Sequence, residues 1–366
     1  MKRTILAVAI VILSLLAASA GTAWYYAGEI ERQALAVGPT SQPLDLVVTA
    51  VGDKTITLRA SDRANLESRD LLVPGRYGLA SADGKGTVGE IVSRDGDEVT
   101  RELIAFDARL APGVKVRLRA LAHPGDPLTA HGLTFDNVTF ESDVGAFGAW
   151  YVGGTATTWA IVVHGRAVGR NEGLKTLPAF EALGLPTLLI QYRNDTGVAR
   201  SESGFYDYGL SEWRDVEAAV RFALDNGADN VVLFGYSMGA AIVLNFLYQS
   251  DLDDRVLAAM LDSPVLDFED VIDFGAERLN LWAPVTWLGK TAFGWRTGMA
   301  LHELNYLARA DELFVPILLI HGDADDVVHI RKSDRLAADR PDLVTYRRLD
   351  GVGHVRGWNV DPNGFD

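Results

Sequence analysis

From Leu44 to about Ala130 apolar and polar positions alternate in short runs, and no segment of this stretch holds a helical period. Leu46–Val51 and Thr55–Arg59 flank Gly52-Asp53-Lys54, and Val88–Val92 and Val99–Ile104 flank Asp95-Gly96-Asp97. Both read as hairpins, because turn residues separate two strand-like runs. Val114–Leu121 alternates apolar residues with Lys115, Arg117 and Arg119, so one face is expected to be buried and the other wet. The pattern predicts a small β-rich domain over 44–130, packed on its neighbour and carrying no chemical motif of its own.

At His131-Gly132-Leu133 the pattern changes. Leu133–Glu141 and Phe147–Val152 read as paired strands. Trp159–Val163, Thr187–Gln191, Asn230–Phe234, Val256–Leu261, Ile317–Ile320 and Val344–Leu349 are short apolar runs of the buried-strand kind, separated by helical stretches. The clearest helix is Ser211–Leu224, with Ser211 placed to cap it and Trp213, Val216, Ala219, Val220 and Ala223 on one face. Alternating strands and helices predict an α/β fold over 131–366, a mostly parallel sheet with helices on both faces. Pro264 to Glu312 interrupts the alternation with helical segments rich in aromatic residues: Phe268, Phe274, Trp282, Trp287, Phe293 and Trp295. An insertion after a strand's C-terminal end lies over the ligand-binding edge of such a sheet, so a helical lid is expected at about 264–312.

The start of the chain follows another rule. Lys2 and Arg3 precede a run from Thr4 to Gly28 without a charge. At about 1.5 Å per residue such a helix can cross a hydrocarbon core of roughly 30 Å. Its leading positive charges would keep that end in the cytoplasm, and Trp24, Tyr25 and Tyr26 fall where an interfacial aromatic belt would sit. Residues 1–28 are therefore expected to be a single-pass transmembrane anchor in the cell membrane, with the remaining domains extracytoplasmic. The alternative is a signal segment removed after Ala18-Ser19-Ala20, giving a secreted protein. Residues 29–43, including Gly38-Pro39-Thr40-Ser41-Gln42-Pro43, read as a linker.

Composition narrows the function classes. The chain has 366 residues, room for one large domain and a small one, and a formal charge of −15. With no basic stripe to neutralise phosphates, nucleic acid is excluded as a partner. The absence of cysteine excludes disulfides, thiolate metal sites, a cysteine nucleophile and a lipidated N-terminal cysteine.

The strongest chemical signal is Gly235-Tyr236-Ser237-Met238-Gly239, which follows the apolar strand Val231–Phe234 and opens the helical stretch Ala240–Tyr248. A serine on a sharp strand-to-helix turn needs small flanking residues so that neighbouring backbone can pass, and it points at a helix N-terminus that favours developing negative charge. Ser237 is the candidate nucleophile. Its hydroxyl needs a base, and His354, in Gly351-Val352-Gly353-His354 after the last expected strand, is placed to reach across. The other histidines, His123, His131, His164, His302, His321 and His329, read as structural. The base in turn needs an orienting acid. Asp323, Asp325 and Asp326 follow the strand Ile317–Ile320, and Asp262 follows Val256–Leu261; order and spacing do not choose among the four. An oxyanion hole needs two aimed backbone N–H groups. The candidates are those of Met238, after the nucleophile, and Arg166, in His164-Gly165-Arg166; the Arg166 side chain reads as solvated.

In their order, Val163-His164-Gly165, the Gly235–Gly239 elbow, His321-Gly322-Asp323-Ala324-Asp325 and Gly353-His354 resemble the α/β-hydrolase superfamily over about Leu133–Trp358. Arg214-Asp215-Val216-Glu217-Ala218-Ala219 is similar to the peptidase- and esterase-like branch. In that branch the acid stands at the fifth position of H-G-x-x-D, which here is Asp325, leaving Asp323 and Asp326 as loop residues and Asp262 as a structural carboxylate. The resemblance implies a serine hydrolase that cleaves an ester, thioester or amide through an acyl-enzyme carried by Ser237, His354 and Asp325, with no metal and no organic cofactor. An aromatic lid suits a small-molecule or acyl substrate. The competing class is a non-catalytic ligand-binding protein that keeps the fold; the complete Ser, His and acid set weighs against it. Two departures stand out. The family usually has a further helix after the His loop, yet Pro362, Asn363 and Gly364 argue against one here, leaving Val344–Leu349 to be covered by the β-rich domain or a second subunit. The β-rich segment lies outside the common fold, and the oligomeric state is not legible.

Overall fold

Alternation in the small domain closes on itself. The computed structural model describes residues 2–38, 43–61 and 69–365; Pro39 to Gln42 of the expected linker fall outside them. Strands β1 (Leu46–Val51), β2 (Thr55–Ala60), β3 (Tyr77–Ser81), β4 (Lys85–Asp95), β5 (Glu98–Phe106) and β6 (Lys115–Arg119) form a barrel in the order β1-β2-β5-β4-β3-β6. It closes where Leu46 of β1 lies opposite Val116 of β6, which removes the free edges an open sheet would present. Alternate residues fill its interior: Leu46, Val48, Ile56, Leu58, Leu79, Val99, Val116 and Leu118. Strand β3 has no alternating pattern to betray it. Its Gly78 lies so near the Leu121 carbonyl that a Cβ there would collide with it.

Strands β7 (Asp136–Ser142), β8 (Gly145–Val152), β9 (Thr158–Val163), β10 (Thr187–Ile190), β11 (Asn230–Tyr236), β12 (Val256–Asp262), β13 (Ile317–Gly322) and β14 (Val344–Leu349) make one sheet, ordered β14-β13-β12-β11-β9-β10-β8-β7. The six strands from β14 to β10 are parallel, and β8 and β7 add an antiparallel edge. The sheet is therefore mixed. After β9 the chain steps outward to β10 and then returns to β11 on the other side of β9. That reversal of direction opens a crevice beyond the strand ends, and the loops after β9 and β11 meet there.

Several expectations change. The helix read as Ser211–Leu224 runs Trp213–Asp225, and Ser211 does not cap it. The Ser211 hydroxyl donates to Asp207, while the buried Glu212 carboxylate accepts the N–H groups of Asp207 at 2.7 Å and Gly209 at 2.9 Å. Val344–Leu349 is an edge strand with Arg347 and Arg348 exposed, not a buried one. The C-terminus does form helix, as single turns Gly357–Val360 and Pro362–Phe365. Proline is tolerated where a helix starts, since its missing N–H has no helical partner there. Phe365 packs beside Gly357, next to Leu349, so the terminal turns themselves help cover β14.

The segment expected to form the lid consists of helices Phe268–Arg278 and Ala283–Thr297 followed by tight 3-10 turns up to Glu312. Its aromatic residues divide: Phe268 and Phe293 are buried in the main core, whereas Trp282, Trp287 and Trp295 are 74%, 63% and 86% exposed.

The charge-free N-terminal run is helical from Lys2 to Ile30. Among the described residues no helix is long and apolar enough to cross a membrane. The last turns of this helix are instead tied to the lid. Ala23 and Ala27 are buried, Arg296 of the lid pairs with Glu31, and its guanidinium covers the Trp24 ring. The transmembrane helix expected over residues 1–28 is thus not supported by the structure. Trp24, expected in an interfacial belt, is covered by an arginine of the same chain that also pairs with Glu31.

Candidate active site

Strand β11 ends at Tyr236 and the helix Met238–Gln249 begins one residue later, so Ser237 alone makes the turn. Its φ of 50° and ψ of −112° are a conformation that costs an L-residue about 1–3 kcal/mol. The flanking glycines explain how the turn fits. A Cβ on Gly239 would fall on the carbonyls of Val163 and His164, and one on Gly235 would strike the Ala240 backbone. The turn is tied to the next strand: Ser237 N–H donates to the Asp262 carbonyl at 2.8 Å, and Val265 N–H donates to the Ser237 carbonyl at 3.3 Å. The lid thus leaves the sheet directly beside the elbow.

His354 Nε2 lies 2.9 Å from Ser237 Oγ, and His354 Nδ1 lies 2.6 Å from Asp325 Oδ2. The structure brings Ser237, His354 and Asp325 into one chain of hydrogen bonds. The other three acids go elsewhere. Asp323 Oδ1 accepts Gly351 N–H at 2.7 Å, which anchors the start of the His354 loop. Asp326 pairs with Arg278 of the lid at 3.3 Å. Asp262 is buried, with Oδ1 accepting from Ser263 Oγ and Oδ2 without a hydrogen-bond partner among the described residues.

The Asp325 carboxylate is saturated. Oδ1 accepts the N–H groups of Val327 and Val328, both at 2.8 Å, and Oδ2 lies within reach of two imidazoles, His354 Nδ1 and His321 Nε2 at 3.0 Å. Burial alone would raise its pKa; the two imidazoles outweigh burial and hold it well below the usual carboxylate range. Burial also opposes the imidazolium of His354, but the Asp325 charge prevails and raises its pKa above the ordinary value. His321, whose sequence context read as merely structural, is the second imidazole on the acid, and its Nδ1 is held by Ser333 Oγ at 2.7 Å. Its spacing of four residues from Asp325 in a tight loop was the available signal.

The loop after β9 supplies the opposite wall. His164 is buried, with Nε2 2.9 Å from Asp195 Oδ2, and its carbonyl accepts the Tyr192 hydroxyl at 2.8 Å. The Glu172 carboxylate accepts Gly165 N–H at 2.7 Å. These bonds fix His164 and Gly165, and Gly165 lies beside the Tyr236 carbonyl and Ser237. The Arg166 side chain is not simply solvated: Nη1 is buried and has no hydrogen-bond partner among the described residues. Among the described residues no group of three or more His, Asp or Glu side chains is arranged to hold a metal ion.

A serine on a strained elbow at the switch point of this sheet defines the architecture as the α/β-hydrolase fold. Residues 179–340 match the Prolyl oligopeptidase family, and residues 47–119 match a domain of unknown function, DUF8805. The chain is 26% identical over 231 residues to the uncharacterized protein Rv2307c of Mycobacterium tuberculosis H37Rv, covering 60% of this chain and 72% of that one. It is 26% identical over 183 residues to the uncharacterized protein YqkD of Bacillus subtilis, covering 48% and 58% respectively. The structure of the esterase Pf2001 from Pyrococcus furiosus aligns with a TM-score of 0.53 at 17% identity, over 66% of this chain and 93% of that one. Fold and family match together support a hydrolase.

Proposed function

We propose that the protein is a serine hydrolase that cleaves an ester, thioester or amide of an acyl group through an acyl-enzyme. The observation that carries this reading is the bond chain Ser237–His354–Asp325, at 2.9 Å and 2.6 Å, on an elbow that a non-catalytic turn would have no reason to strain. Ser237 Oγ attacks the acyl carbonyl carbon while its proton passes to His354 Nε2. His354 returns that proton to the leaving group as the carbonyl–heteroatom bond breaks. Water then attacks the acyl-enzyme, giving a proton to His354, and the released acid leaves Ser237 with its hydroxyl restored. The backbone N–H groups of Met238 and Arg166 would receive the oxyanion, and Asp325 would hold His354 in the tautomer that accepts at Nε2. No cofactor enters this scheme.

A fluorophosphonate probe should label the native protein at Ser237, read by mass spectrometry of the modified peptide. Failure of the native protein to take up the probe would overturn the hydrolase reading. With p-nitrophenyl esters of increasing acyl length, kcat/KM should climb by up to about fourfold per methylene buried, which corresponds to about 0.8 kcal/mol each. A flat or falling series would remove the acyl-chain preference.

The same reading includes a membrane tether with the catalytic domain outside the cytoplasm. Its support is the uncharged run Thr4–Gly28 behind Lys2 and Arg3, together with the lid helix that its last turns contact. On that lid helix Trp287, Thr291 and Trp295 form an exposed stripe, while Lys290 is turned to Glu269 and Asp273 and Arg296 to Glu31. A helix that pairs its cations inward and exposes its tryptophans suits an interfacial environment. Protease added to intact spheroplasts should digest the α/β domain and leave the N-terminal run with the membrane fraction. Protection of the domain would reverse the topology, and a mature N-terminus at Gly21 would show cleavage instead.

A further inference from the structure

The barrel lies outside the common fold, and nothing in its own interior suggests a ligand. Among the described residues it contacts the α/β domain at the chain that follows His354. Arg356 donates to Asp70 of the barrel through Nε at 3.0 Å and Nη2 at 2.8 Å, and through Nη1 to the His354 carbonyl at 3.1 Å. Three residues on, Asn359 is fully buried. Its Nδ2 donates to the carbonyls of Arg76 at 2.7 Å and Ala120 at 2.9 Å, and its carbonyl accepts Arg76 N–H at 2.8 Å. Trp358 is buried between these residues against the His123 ring, 5.1 Å away.

The barrel side of this contact is itself rigid. Arg101, a fully buried cation on β5, donates to the carbonyls of Asp70 at 2.8 Å, Gly89 at 2.9 Å and Gly75 at 3.2 Å, and also to those of Leu71 and Val73. Five carbonyls gather on one guanidinium, and the four from Asp70, Leu71, Val73 and Gly75 fix the segment between them. A buried arginine is costly unless its donors are paired; here Nε has no partner among the described residues, and the acceptors of Nη1 and Nη2 all belong to the segment that holds the His354 loop or to β4 beside it.

We propose that the barrel is part of the catalytic apparatus: it clamps the loop carrying His354 through Asp70–Arg356 and Asn359, making Asp70 and Arg356 positioning residues. The inference rests on the serine-hydrolase reading for its kinetic consequence and on geometry alone for the clamp. On the inner side the same loop is held by the Ser263 hydroxyl accepting Val355 N–H at 3.1 Å, Lys175 reaching the Val355 carbonyl at 3.3 Å, Ala324 N–H donating to the Val352 carbonyl at 3.1 Å, and Asp323 at Gly351, besides the bonds of His354 itself. Val355 itself sits at a φ of 52°, a strained conformation for a β-branched residue that persists only where its surroundings enforce it. Without the barrel the outer half of that enforcement is gone.

Charge gives the clamp a signature that packing alone lacks. His354 faces Asp325 from the loop after β13, Asp262 from the end of β12, and Arg356 from its own loop; Arg356 in turn faces Asp70, Tyr77 and Asp326. The Arg356 cation disfavours the His354 imidazolium, and Asp70 offsets that cation. Removing the cation in Arg356→Gln therefore raises the His354 pKa, and removing its partner in Asp70→Asn lowers it.

The test compares full-length wild type with Asp70→Asn, Arg356→Gln and Arg356→Lys, with folding checked by circular dichroism. Asp70→Asn and Arg356→Gln should lower kcat by about 10- to 100-fold, the scale of a small misplacement of a catalytic group, with KM changed less than about twofold. The acid limb of kcat/KM should move to lower pH in Asp70→Asn and to higher pH in Arg356→Gln. Arg356→Lys, which keeps the charge but not the fork, should keep the wild-type limb and recover only part of the rate. In all three variants amide exchange over residues 351–358 should quicken. Wild-type exchange at 351–358 in folded Asp70→Asn and Arg356→Gln, or limbs that move in the same direction, would overturn the clamp. A wild type that takes up no fluorophosphonate would instead sink the hydrolase reading and leave the exchange measurement to judge the clamp by itself.

Discussion

Ser237→Ala should fold as the native protein does, take up no fluorophosphonate, and lose about 10⁴- to 10⁶-fold in kcat toward an activated ester. That range corresponds to about 5–8 kcal/mol of transition-state stabilisation. The size follows from what is removed: the only atom 2.9 Å from His354 Nε2 on the elbow that can form the acyl bond. Stability should barely change, because alanine at a φ of 50° carries the same Cβ strain as serine. Ser237→Gly separates the two effects. Glycine accepts positive φ without penalty, so this variant should be equally inactive yet gain up to about 1 kcal/mol of stability, read as a higher melting temperature. A site that stores strain for chemistry behaves in this way. A Ser237→Ala protein that keeps near-native rates would remove Ser237 from the mechanism, whatever its stability.

The parts of this architecture that were legible in the sequence are those where one local rule decides. The elbow was readable because a strained turn between a buried strand and a buried helix leaves little choice at Gly235 and Gly239, both of which abut backbone. The parallel strands were readable because burial on both faces demands continuous apolar runs such as Trp159–Val163. Where several weak signals compete, the sequence was silent or misleading. Ser211 looked like a cap because serine caps helices in general, but its hydroxyl donates to the Asp207 carboxylate four residues back instead of accepting from the helix. The aromatic residues of the expected lid do not share one fate: Phe268 and Phe293 enter the core while Trp282, Trp287 and Trp295 face outward, because composition carries no direction. Strand β3, Tyr77–Ser81, is too short and small-residued to show a period. Arg101, inside the strand-like run Val99–Ile104, is fully buried because its acceptors are carbonyls recruited from a distant turn, which no local pattern shows. The pairing of Asp70 with Arg356 joins residues 286 positions apart, and no pattern within one sequence encodes such a contact.

Asp325→Asn should reduce kcat by about 10⁴-fold while leaving the protein folded and still reactive, slowly, at Ser237. The argument is one of donors and acceptors. The carboxylate offers two oxygens to four groups: the N–H groups of Val327 and Val328 on Oδ1, and His354 Nδ1 and His321 Nε2 on Oδ2. Asparagine offers one oxygen and one NH₂. If its oxygen stays with the two backbone amides, which cannot turn away, the NH₂ faces both imidazoles. His354 must then present an unprotonated Nδ1, which puts the ring proton on Nε2, 2.9 Å from Ser237 Oγ. In that tautomer the base can no longer accept the serine proton. If the amide turns the other way, two buried N–H groups meet an NH₂, at a cost of about 1–3 kcal/mol for each donor left unsatisfied, so the first arrangement prevails. The pH profile adds a second check. The Asp325 charge raises the His354 pKa against the effect of burial, and a neutral residue gives up that support. The imidazolium is then easier to deprotonate, and the acid limb of kcat/KM moves to lower pH even as the plateau falls. Asp323→Asn, at the anchor of Gly351, and Asp326→Asn, at the pair with Arg278, leave the tautomer untouched and should retain activity within about 10-fold of wild type, since they act on the base only through its position. A larger loss at Asp262→Asn than at Asp325→Asn would transfer the orienting role to the end of β12, and an acid limb that moves upward in Asp325→Asn would contradict the charge assignment made for His354.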